Sequence, residues 1–98
     1  MTSFIIRVEL HDATYQDYVK LHDFMAQEGF TNTIRSDDGG LYQLPPAEYH
    51  LAANCTAVQA SDKASAAARK TLKTFSVIAS QYTTAAWAGL AKVQARAA

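Results

Sequence analysis

Residues 3–10 alternate without a break, with Phe4, Ile6, Val8 and Leu10 on one side and Ile5, Arg7 and Glu9 on the other. A period of two, carried by bulky and β-branched residues, predicts a strand with one buried face. The period then changes. Tyr15, Tyr18, Leu21, His22 and Met25 recur at helical spacing, with Val19 and Ala26 at the stripe's edge. Gln16, Lys20, Asp23 and Gln27 lie opposite. Thr14 with Asp17 three residues on forms a capping box, and Gly29 suits the left-handed residue that ends a helix. The spacing therefore predicts a helix over residues 15–28.

Residues 31–35, rich in Thr and Ile, predict a second strand. Ser36-Asp37-Asp38-Gly39-Gly40 reads as a turn, and residues 41–44 extend the hairpin until Pro45-Pro46, which cannot donate ladder hydrogen bonds. Residues 48–53 form a third strand with Tyr49, Leu51 and Ala53 inward. Thr56 and Gln59 make a second capping box, opening a helix that runs to about residue 72. Its inner face is small: Ala57, Ala60, Ala64, Ala67, Ala68 and Thr71. Phe75, Val77 and Ala79 alternate as a fourth strand. Trp87, Leu90 and Val93 stand at helical spacing, which predicts an amphipathic turn in the tail.

The order βαββαβ with right-handed crossovers predicts an α+β, ferredoxin-like domain over residues 2–80, followed by a partly helical C-terminal extension over residues 81–98. The expected sheet has four antiparallel strands, the first and third paired at its centre, with two helices on one face. The other face is left open for a homodimer or a nucleic acid.

Composition narrows the class. With 98 residues, 49% hydrophobic and 18% charged, the chain makes one domain and is not disordered. The lone Cys55 excludes an internal disulfide. Phe4-Ile5-Ile6 is too short, and too soon broken by Arg7, for an export signal. Residues 74–91 carry no charge, yet their Thr, Ser and Ala content gives little drive for membrane insertion. A cytoplasmic protein is expected. Charge is polarised: residues 1–48 hold eight acids and three bases, a balance of −5, and residues 49–98 hold one acid and six bases, +5. Such polarity steers an anionic partner to one surface, or lets the two halves complement each other.

Strand parity places Arg7, Glu9 and His11 on the open face, together with Glu48 and His50. Antiparallel pairing of the first and third strands then predicts a cluster of Glu9, His11, Glu48 and His50, with Arg7 and Arg35 beside it. A histidine that titrates near neutrality can take the proton of a ribose 2′-hydroxyl, and an arginine can offset charge at phosphorus. Arg7, His11, Arg35 and His50 are thus the candidate catalytic residues of a metal-independent ribonuclease. The bland counterpart is a solvated or dimer-facing sheet surface. Lys63, Lys70 and Lys73, with Arg69 alongside, share the outer stripe of the second helix and are candidate phosphate contacts, or ordinary solvation. His22 reads as a core histidine bonded to a carbonyl or a tyrosine hydroxyl. His11-Asp12 is a loop cap rather than a metal site, and Cys55 has no histidine partner to make it a nucleophile. Neither a metal nor another cofactor is expected.

The words Phe4-Ile5-Ile6-Arg7-Val8-Glu9-Leu10-His11, Tyr18, Leu21-His22, Met25 and Gly29-Phe30 carry a likeness. So do Ser36-Asp37-Asp38-Gly39, Tyr42-Gln43-Leu44-Pro45, Ala47-Glu48-Tyr49 and Lys73-Thr74-Phe75-Ser76. Over about residues 3–80 the chain resembles the GhoS-like family of small bacterial proteins, the endoribonuclease antitoxins of type V toxin–antitoxin systems. The resemblance implies a ferredoxin-like fold similar to that of Cas2-type nucleases, and cleavage of the messenger RNA of a small membrane toxin. It carries no catalytic residue onto a position of this chain. Sequence and resemblance together predict an antitoxin-like protein that binds or cleaves RNA. The alternative is a non-catalytic module that uses the sheet face or the second helix to hold a protein partner.

Overall fold

In the computed structural model, which describes residues 1–93, the alternating N-terminal segment is β1 (Thr2–Leu10). Phe4, Ile6, Val8 and Leu10 are buried, whereas Arg7 and Glu9 are exposed. Each fully buried aliphatic or aromatic side chain stabilises the fold by roughly 1.5–3 kcal/mol relative to exposure. α1 (Tyr15–Gln27) follows its capping box, in which Thr14 and Asp17 bond each other's backbone amides, and Gly29 takes φ +93° as the chain leaves the helix. Leu21 and Met25 fill the core from this helix. Tyr15, expected on the same stripe, is 79% exposed, whereas Tyr18 packs against the core.

A hairpin comes next: β2 (Thr33–Arg35) and β3 (Leu41–Gln43), joined through Gly39 at φ +91°. β4 (Glu48–Ala53), α2 (Ala57–Arg69) and β5 (Phe75–Tyr82) complete the described elements. α2 starts at the second capping box, Thr56 with Gln59. Its buried face consists of Ala60, Ala64, Ala67 and Ala68, small enough to let the helix sit close on β1 and β5. Thr71 closes that face, its hydroxyl donating to the Ala68 carbonyl at 2.6 Å.

The described residues form a small mixed α+β domain with two helices, and its strand order fits a ferredoxin-like pattern only loosely. The main sheet has three strands, ordered β4-β1-β5, all antiparallel to their neighbours, and β2-β3 form a separate two-stranded sheet. The expected four-stranded sheet is therefore corrected. The reason is local. The 36–40 turn closes β2 onto β3, Pro45-Pro46 interrupts the path to β4, and among the described residues only Thr31 bridges the two sheets through its backbone. It exchanges two backbone bonds with His50, at 2.9 and 2.7 Å.

The tail also departs from expectation. After Tyr82 the chain turns back, and residues 83–93 form no helical turn. The Gln43 amide donates to the Ala91 carbonyl at 2.9 Å and the Val93 amide to the Leu41 carbonyl at 2.7 Å, so the tail pairs with the hairpin. The part of the helical expectation that falls on residues 94–98 lies outside the described residues. Ala85, Trp87 and Leu90 share a cleft of about 300 Å³ with Ile5, Glu48 and Ile34, so hairpin and tail overlie part of the sheet face opposite the helices. Among the described residues no helix is long and apolar enough to cross a membrane.

Candidate functional site

Parity was legible, and the side chains follow it: Arg7, Glu9, Glu48 and His50 share the face away from the helices. Register divides them. Arg7 stands opposite Glu48, and His50 stands opposite Ile5. Arg7 and His50 are thus diagonal neighbours across the ladder, at a spacing of roughly 7–8 Å. His11 lies six residues further along β1 than Ile5, roughly 20 Å away at strand rise. The expected cluster of Glu9, His11, Glu48 and His50 does not form. β1 outruns the start of β4, so His11 overhangs that strand and settles against β5 instead. Its ring nitrogens lie 3.1 Å from the Thr74 and Ser76 hydroxyls, with Glu9 Oε1 3.8 Å from Nε2.

His50 finds a partner that the sequence did not suggest. Its Nε2 lies 2.7 Å from the Tyr82 hydroxyl, and the two rings meet edge to face with centroids 5.7 Å apart. Burial pushes the His50 pKa below the usual histidine value, which keeps the imidazole neutral at pH 7. Tyr82 in turn lines a groove of about 430 Å³ between the hairpin and the returning tail. Arg35, Asp37, Tyr42 and Trp87 line it as well. The Tyr42 and Trp87 rings are 5.6 Å apart at 57°. Arg35 is exposed, and its guanidinium donates to the Gly39 carbonyl at 2.8 Å, which fixes its base while leaving further N–H groups for a ligand. Asp38 also borders the groove, but it is committed to the turn. Hydrogen bonds from the Ser36 hydroxyl and the Gly40 amide hold its carboxyl below the usual carboxylate range.

The structure therefore brings Arg35 and His50 together through Tyr82, keeps Arg7 one diagonal step away, and leaves His11 apart. The aromatic members were missed. Tyr82 lies three residues past the expected end of its strand, and Trp87 sits where a helical turn was expected. Only their aromatic character, with no period behind it, could have flagged them.

The basic row of α2 occupies the other side of the molecule. Arg69 and Lys70 are exposed, but Lys70 Nζ lies 5.8 Å over the Phe24 ring. Lys73 donates to the Asp12 carbonyl at 3.0 Å and sits 3.7 Å from Asp17. Lys63 is half-buried. These cations sit on the helical layer, not beside the groove, so they do not extend its footprint. His22 has the tyrosine partner anticipated but is half-buried rather than in the core: Nδ1 lies 2.6 Å from the Tyr49 hydroxyl, whose pKa burial and the neighbouring Tyr18 push above the ordinary range. Among the described residues no three His, Cys, Asp or Glu side chains gather as a metal-binding set.

No family model matches the chain, and no curated protein matches it.

Proposed function

We propose that this chain binds single-stranded RNA in the groove between the hairpin and the tail, as an antitoxin-like RNA-binding protein. One observation carries the reading: three aromatic rings, Tyr42, Tyr82 and Trp87, and the Arg35 guanidinium line a single groove. Unstacked bases bind by stacking on such rings, and a guanidinium takes the adjoining phosphate. Asp37 on the rim repels a phosphate but accepts hydrogen bonds from base amino groups, which orients the strand with its backbone toward Arg35. The GhoS-like resemblance points to the same ligand class.

The His50–Tyr82 pair favours cleavage as a second step. A neutral His50 takes the 2′-hydroxyl proton, the 2′-oxygen attacks phosphorus, and the bond to the 5′-oxygen breaks. The imidazolium then returns its proton to that leaving oxygen. Arg7, across the ladder, offsets the extra charge at phosphorus. The products are a 2′,3′-cyclic phosphate and a 5′-hydroxyl end.

The chain has one tryptophan, so its fluorescence reports on the groove. Titration with single-stranded RNA should quench Trp87, with an affinity that falls as salt rises. Trp87→Ala should weaken binding by roughly 5- to 150-fold, the equivalent of about 1–3 kcal/mol for a lost stack. Absence of quenching and of salt-dependent binding would sink the proposal. Product analysis in the same tubes, with and without chelator, tests the cleavage step, which His50→Ala should abolish.

A further inference from the structure

β5 is the bare edge of the main sheet. It pairs with β1 over its whole length, and among the described residues its outer side pairs with nothing. The opposite edge is guarded, since β4 carries the Thr31 bridge and is preceded by Pro45-Pro46. β5 has none of the devices that normally blunt an edge: Phe75-Ser76-Val77-Ile78-Ala79-Ser80-Gln81-Tyr82 holds no charge, proline or glycine. Near its middle Ile78 is 62% exposed.

We propose that β5 is the seam at which a second copy of this chain adds its own β5, antiparallel, to make one six-stranded sheet. The segment is self-complementary. A two-fold axis normal to the sheet keeps helices with helices, so paired residue numbers must sum to an even value. The sum that sets Ile78 against Ile78 also sets Ser76 against Ser80 and Val77 against Ala79. At these pairs apolar meets apolar and hydroxyl meets hydroxyl, Phe75 falls opposite Gln81 at the ends, and no like charges face each other across the axis. This differs from a dimer through the sheet face, part of which the hairpin and tail already overlie. A single added strand pair falls at the small end of specific interfaces, below about 1,200 Å², so the dimer is concentration-dependent. The RNA groove meets β5 at its last residue, Tyr82, whereas Arg35, Tyr42 and Trp87 lie off the seam; the variants below leave Tyr82 in place, so this inference and the RNA reading fail separately.

Sedimentation of the full chain over rising concentration should show the mass doubling. Ile78→Lys should hold the protein monomeric while its circular dichroism stays unchanged, and Ser76→Lys makes the same test if the first variant loses its fold. In a Cys55→Ser background, Ile78→Cys should oxidise to a linked dimer, since self-paired residues sit about 4.5–5.5 Å apart at Cα, within disulfide reach. A chain that stays monomeric up to millimolar concentration overturns the proposal. So does a dimer that either folded lysine variant leaves intact.

Discussion

Tyr49 is fully buried and sends its hydroxyl to His22 Nδ1 at 2.6 Å. Tyr49→Phe keeps the ring and removes the bond, leaving a half-buried imidazole nitrogen without its partner. The expected cost is about 1–3 kcal/mol, measurable by urea unfolding with an unchanged slope. His50 behaves differently because its burial lowers the folded pKa below the ordinary histidine value of about 6.5. The unfolded chain then binds the proton more readily than the folded one. As pH falls from 7 through 6.5 toward the folded pKa, this residue's contribution to stability is lost, and below that value the loss levels off. A thermal-melting series from pH 7.5 to 5.5 should show this decline. His50→Gln should flatten it, and a decline of equal size in that variant would assign it elsewhere. At this scale parity was readable, since a strict alternation puts Arg7 and His50 on one face whatever the partner. The offset of β1 against β4 was not readable, because tertiary pairing sets it, and that offset is what sends His11 to Thr74 and Ser76.

The helices were the most legible elements, because both ends are written locally. Two threonine capping boxes fix the starts of α1 and α2 to the residue, and Gly29 marks one end. Thr56→Ala should cost about 1 kcal/mol of stability by removing the acceptor for the Gln59 amide. The alanine face of α2 makes a sharper test. Ala64 is fully buried against the sheet, so Ala64→Leu must push the helix away and should cost about 1–3 kcal/mol by chemical denaturation. Had that face merely been solvated by default, the same change would be neutral or stabilising. Strand ends were less legible. Ser80-Gln81 breaks the apolar alternation and suggests that β5 stops, yet the strand continues because β1 offers backbone partners as far as Ser3. The tail misled for a related reason: Trp87 and Leu90 keep helical spacing, but Gly89 between them takes φ +79° and the true partner is β3, more than forty residues upstream. A long-range pairing leaves no local period to read.

For the whole molecule, the described residues fall into two layers of unequal strength. β1 is held on both sides and backed by Phe4, Ile6 and Val8, all fully buried together with Leu21 and Met25. Hairpin and tail bury Ile34 and Leu44 but lie outside that cluster, and two backbone bonds join them to each other. Little apolar area backs those bonds, so the layer should open without unfolding the rest. Native-state hydrogen exchange tests this directly. The Gln43 and Val93 amides, which hold the tail, should exchange through a local opening at least tenfold faster than the amides of Ile6 and Val8. The groove rests on that same layer, so RNA should slow exchange at Gln43 and Val93 while leaving β1 untouched. Exchange at all four positions with one common free energy would show instead a single cooperative unit, in which the groove is rigid before any ligand arrives.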